Sequence, residues 1–264
     1  VKKRGLNRTR VSKSSAVRKR LKWKAVLPAV FIVAVILALV LYFHQPSHQS
    51  NHVRAPRAVI IDGLALTKPN PQFIEEAEDV LSKVGFDVDV YVGSNVTINL
   101  LMNIGGYELI VLRVHSAIDT TSGFLYLFST ERYNLTGYLY EQISGAVREA
   151  YTFNEREGPY FALRADLLGC SSRDGLNGSS IIMMGCNGTN SWRTIVRLFE
   201  RGVKNIVAWD GYVDLTYSDE ITLSLLKAVY EDKMDFPKAV EKIMDEYGVD
   251  PIWKSRLECL TQSD

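Results

Sequence analysis

The chain has 264 residues and a formal net charge of +1, from 31 Lys and Arg against 30 Asp and Glu. Eleven of the 31 lie in residues 1–24, which hold no Asp or Glu, so residues 25–264 carry 20 basic against all 30 acidic side chains. The near-neutral total thus hides a basic tail on an acidic body, which excludes an evenly mixed surface and points the tail at a membrane or a nucleic acid.

The next segment decides between those two. Residues 25–43 (AVLPAVFIVAVILALVLYF) are nineteen uncharged residues, roughly the helix length that spans a ~30 Å hydrocarbon core. Trp23 before the run, and Tyr42 and Phe43 at its end, suit the two interfaces, and Pro28 falls in the first turn, where a missing N–H costs little. A cleaved signal peptide is the competing reading, but its apolar stretch is about 7–15 residues and ends at a small-residue site. Here the run exits through Leu41-Tyr42-Phe43-His44-Gln45. An uncleaved signal anchor is expected, with residues 1–24 as a cytoplasmic tail and the acidic body across the cell membrane. Membrane contact accounts for the flanking charge, so no nucleic-acid partner is expected.

Residues 44–56 read as a polar linker closed by Pro56. His44, His48 and His52 recur there every four residues. Pro46 and the Ser and Asn content oppose a helix, and no Cys or acidic ligand is near, so neither a metal site nor a cofactor is expected.

Residues 57–264 suffice for one domain with a sizeable core. The apolar run 58–61 predicts a central strand. Pro71 opens a helix in which Phe73, Ile74, Ala77, Val80, Leu81 and Val84 keep helical spacing, and Gly85 ends it. Residues 86–92 alternate as a strand with one wetter face, 96–104 suit a short helix, and 108–114 form a strand followed by His115. This strand–helix–strand–helix–strand order predicts an α/β fold with a mostly parallel sheet. Next come a hairpin strand at 124–130, a helix at 139–151, an extended piece at 160–163 and a polar loop at 169–179. Strand 180–185 runs into Cys186. A helix at 191–201, a strand at 205–209, and helices at 219–230 and 236–247 complete the order.

In open α/β sheets, ligands bind at the carboxyl ends of parallel strands. His115 and Cys186 each follow such a strand, so the two face each other across one crevice. A lone His is commonly structural and a Cys at a strand end is commonly a small core residue; the matched positions argue for a pair. His115 is the only histidine beyond residue 52. Cys170, Cys186 and Cys259 are odd in number, which leaves at least one thiol free; Cys170 and Cys259 could pair. Asn95, Asn134, Asn177 and Asn187 begin glycan-acceptor patterns, and the last abuts Cys186.

The segments Ile181-Ile182-Met183-Met184-Gly185-Cys186-Asn187-Gly188 and Gly202-Val203-Lys204-Asn205-Ile206-Val207-Ala208-Trp209, after a strand ending in His115, resemble the caspase-like cysteine peptidases. The resemblance covers about residues 57–247. It implies a caspase-like three-layer sandwich, a His115–Cys186 dyad, and a pocket near the residues after Trp209 for the side chain preceding the scissile bond. One departure is visible: the family usually has Gly directly after its His, and this chain has Ser116.

The chemistry stands without the family. A thiolate attacks a peptide carbonyl, an imidazole takes and returns the proton, and backbone N–H groups hold the oxyanion. Ser116 and Cys186 are the expected donors, with Gly185 permitting close approach. Asp174, Asp210 and Asp214 could form an acidic pocket for a basic side chain, against the alternative that they cap turns. Trp209 is either core or a pocket wall, its indole N–H needing a partner. The expected function is therefore a membrane-anchored, extracytoplasmic cysteine endopeptidase acting on peptides or proteins. The alternatives are a catalytically inactive caspase-like module that binds peptides or partner proteins, and a sensor domain binding a small ligand at the same rim.

Overall fold

The computed structural model describes Val35, residues 54–154 and residues 158–262. The basic tail, the apolar run apart from Val35, and the three-histidine stretch lie outside the described residues. Among those described, no helix is long and apolar enough to cross a bilayer.

The first half of the body runs β1 (Arg57–Asp62), α1 (Pro71–Lys83), β2 (Asp87–Val92), α2 (Ile98–Asn103) and β3 (Leu109–Arg113). A middle region follows, with β4 (Ser116–Ile118), β5 (Leu125–Arg132), α3 (Leu139–Ser144), β6 (Val147–Ala150) and β7 (Tyr160–Arg164). The last part is β8 (Ser180–Met183), α4 (Trp192–Glu200), β9 (Asn205–Trp209), α5 (Leu215–Leu226), α6 (Phe236–Tyr247) and β10 (Leu257–Thr261).

The main sheet has the order β10-β9-β8-β3-β1-β2 and is parallel except for β10, which pairs antiparallel with β9. Its inner strands are buried on both faces, which is why they read as unbroken apolar runs. Alternate residues feed two cores. Ala58, Ile60, Leu109, Val111 and Trp209 pack under α1, α5 and α6. Val59, Ile61, Ile110, Leu112 and Met183 pack on the other side against α2, α4 and the second sheet. That second sheet is antiparallel, in the order β4-β5-β7-β6. The result is a mixed α/β unit in three layers around a mostly parallel sheet.

Most expected elements occur at or near their boundaries; the short β4 was not expected, and three further elements differ. The helix expected over 139–151 stops at Ser144, because Gly145 takes a left-handed φ of 70° and closes it; residues 147–150 then pair with β7 as a strand. The helix expected from 219 begins at Leu215, capped by the Asp214 carboxylate, which accepts from the Tyr217 N–H. Strand β10 was not expected, since its residues are only partly buried at the sheet edge. All three cysteines are free thiols, so Cys170 and Cys259 are not paired.

Candidate active site

Strands β3 and β8 are parallel neighbours, with Leu112 opposite Met183, so their carboxyl ends emerge side by side. His115 lies two residues past β3 and Cys186 three past β8. Both are half-buried, and both line the same two cavities. One cavity, of 170 Å³, is bounded by the start of β4, Phe128, the 151–153 segment and Tyr212. The other, of 180 Å³, lies between the 64–68 loop, Met184, Gly185 and the 212–215 loop. The His115 ring meets Phe128 edge-on, with centroids 6.0 Å apart.

The turn that carries Cys186 is tied down on both sides. Asn187 takes φ 60°, a left-handed conformation that Asn tolerates better than most residues. Its N–H donates to the Gly211 carbonyl at 2.8 Å, and the Asn190 amide donates to the Asp210 carbonyl at 2.6 Å. On the other side, the Ser116 hydroxyl donates to the Cys186 carbonyl at 2.7 Å. A Cβ on Gly185 would overlap Ser116 Oγ and the Val114 carbonyl. Glycine at 185 is thus what lets the Cys turn lie against the His strand.

Ser116 keeps a backbone donor turned toward the open edge. The Phe128 N–H donates to the His115 carbonyl and the Asp119 N–H to the Phe124 carbonyl, while Ser116 lies opposite Leu127. In an antiparallel pair, bonded and non-bonded positions alternate. Residue 116 therefore occupies a non-bonded position, and its N–H points away from β5.

Burial pushes the Cys186 thiol up from its ordinary range; a hydrogen bond from the Val213 N–H works the other way, and the Asp250 charge adds to the rise. A raised value keeps the resting group as SH at neutral pH, so its ionisation needs a base. Alkylation of Cys186 by iodoacetamide, followed by mass spectrometry, is accordingly expected to climb with pH through and beyond the usual thiol midpoint of about 8.5. A rate already on its plateau at pH 6 would contradict a protonated resting thiol.

The substrate-side expectations fare differently. Asp174 lies beside Gly106, ahead of β3, at the amino end of the sheet and away from His115 and Cys186; the 169–179 loop feeds the start of β8, and Cys186 is past its far end. Asp210 accepts from the Arg256 N–H at 2.6 Å, tying β9 to β10. Asp214 caps α5. None of the three carboxylates lines either cavity, so they form no acidic pocket. Trp209 is fully buried, and its indole N–H donates to Ser218 Oγ at 3.1 Å. It is a core residue and not a pocket wall.

Other residues line the two cavities. Phe153, Tyr212 and Trp253, from three separate loops, form one ring cluster with centroids 5.3 to 6.4 Å apart. All three are exposed, and Phe153 and Tyr212 line both cavities. Fully buried Asp250 organises the loop carrying Trp253: its carboxylate accepts from the Ile252, Trp253 and Asp214 N–H groups. Large aromatics in turn-rich segments were the available signal for this cluster.

Beneath the site is a buried ion cluster. Arg113 donates to both oxygens of Asp219 at 2.8 and 2.9 Å, to Asp62 at 2.8 Å and to the Lys68 carbonyl at 3.0 Å. Asn70, the cap of α1, donates to Asp219 as well. The cluster fixes the end of β3, two residues before His115, against the 63–70 loop. No family model matches the chain, and no curated protein matches it in sequence.

Proposed function

We propose that the chain is a membrane-anchored, caspase-like cysteine endopeptidase whose body works on the extracytoplasmic side. The observation that carries this reading is the shared placement of His115 and Cys186: adjacent parallel strand ends, two common cavities. Cys186 Sγ attacks the peptide carbonyl carbon while its proton passes to the His115 imidazole. The oxyanion forms within reach of backbone donors, for which the outward N–H of Ser116 and the N–H of Cys186 are the candidates. Collapse breaks the C–N bond, and the imidazolium gives its proton to the departing amine. Water then attacks the thioester, His115 takes a water proton, the C–S bond breaks, and the thiol regains its proton.

A second reading has one observation in its favour. Ser116 replaces the Gly that the resemblance implies, and its hydroxyl is already bonded to the Cys186 carbonyl. A peptide-binding module without turnover would tolerate that contact. Incubation of the full chain with a proteome-derived peptide mixture separates the two. New peptide termini that vanish in Cys186→Ala support the peptidase, whereas peptide capture without new termini supports the binding module.

A further inference from the structure

We infer that the 180 Å³ cavity receives the side chain preceding the scissile bond and selects a bulky apolar one of the Leu, Met or Phe kind; this rests on the peptidase reading. The position follows from the chemistry of the thioester. A carbonyl carbon bonded to Cys186 Sγ carries its own Cα one bond further on. The side chain best placed to enter a cavity walled by Met184, Gly185 and Val213 is that of the acyl residue itself.

The lining sets the preference. Leu64, Val114, Met184, Val213 and Leu215 supply aliphatic walls, and Phe153, Tyr212 and Trp253 supply aromatic ones. Among the described residues, the lining Lys or Arg is Lys68, an exposed cation that repels Arg or Lys from the mouth. Among the described residues no carboxylate lines this cavity: Asp210 and Asp214 accept from backbone N–H groups, and Asp174 lies at the opposite end of the sheet. A charged guest would lose its hydration among these walls without a partner to replace it. The size also fits, since an apolar cavity of roughly 150 Å³ accepts a benzene ring.

Four peptidyl acyloxymethyl ketones that differ only in the residue next to the ketone (Leu, Phe, Arg or Asp) test this on the full chain in detergent. Each alkylates a thiol as the C–S bond forms and the acyloxy group leaves as carboxylate. Adducts on the Cys186 peptide are read by mass spectrometry, with Cys186→Ala as the blank. The Leu and Phe probes should react at least about ten-fold faster than the Arg and Asp probes, the lower end of what a fitted apolar pocket discriminates. Leu215→Asp, which puts a carboxylate in the wall, should reverse the order of the Leu and Arg probes. Fastest reaction with the Arg or Asp probe, or equal rates for all four, would overturn the apolar pocket and leave the peptidase standing. Alkylation of Cys186 by iodoacetamide but by none of the four peptidyl probes would overturn the peptidase reading, and the pocket with it.

Discussion

Replacing Cys186 with Ala is expected to bring peptide hydrolysis down to the uncatalysed background, and His115→Ala to lower it by about 10²- to 10⁴-fold, the usual worth of a positioned acid–base group. The double variant should be no worse than Cys186→Ala, because the two residues act on one step. Folding should survive in each, since both side chains are only half-buried at the cleft and neither belongs to the cores of the main sheet. Cys170→Ala and Cys259→Ala should retain activity. Cys170 is exposed on the 169–179 loop. Cys259 sits on edge strand β10, its thiol pushed up to about 11 chiefly by burial. Both thiols are free, so neither change removes a cross-link. Initial rates on a quenched fluorescent peptide, with circular dichroism as the folding control, check this. Equal loss from Cys170→Ala would mean that the chemistry uses a different thiol.

The largest effect on stability should come from Arg113→Met. The Arg113 side chain is 1% exposed, and its partners Asp62 and Asp219 are 2% and 6% exposed. Burial pushes the Asp62 carboxyl up, while Arg113 works to keep it ionised. Removing the guanidinium leaves two carboxylates in the interior with no cation, a change that typically costs about 3–5 kcal/mol. Urea unfolding should show that loss as a lower midpoint with a similar slope. Changing Asp62 and Asp219 to Asn in the same chain should recover much of it, because the stranded charges go with the cation. An unchanged midpoint for Arg113→Met alone would mean the cluster contributes nothing net. The site should suffer as well: Arg113 holds the 63–70 loop, which carries Leu64 and Lys68 into the cavity beside Cys186.

The parallel core of the fold was legible because its strands are buried on both faces. Runs such as 58–61, 109–112 and 181–184 have no polar interruption, and strand ends in such a sheet have a fixed functional meaning. The placement of His115 and Cys186 past such strand ends was read from that alone, and the strands are neighbours. Edge elements were less legible: β6 and β10 are half-buried, so their apolar pattern is diluted. In β6 a helical pattern ran on through Gly145, whose left-handed backbone is the real boundary. The pocket was misjudged for another reason. Carboxylates were assigned by nearness to strands in sequence, but Asp174 precedes β8 and so falls at the opposite end of the sheet, while Asp210 and Asp214 each accept from a backbone N–H and line neither cavity. The aromatic cluster of Phe153, Tyr212 and Trp253 comes from three loops far apart in the chain, and no local pattern joins them. The buried cluster of Arg113, Asp62 and Asp219 was equally hidden, since a charged residue at a strand end looks the same in sequence whether it faces water or a partner.

Trapping the acyl intermediate tests the dyad most directly. The full chain is mixed with an activated ester of an N-acylated apolar amino acid, quenched in acid during turnover, digested and mapped by mass spectrometry. A His115–Cys186 peptidase must carry the acyl group as a thioester on Cys186, sensitive to hydroxylamine and formed far more slowly in His115→Ala. An acyl group found instead on another residue, or ester turnover that continues undiminished in Cys186→Ala, would contradict a thiol nucleophile at Cys186.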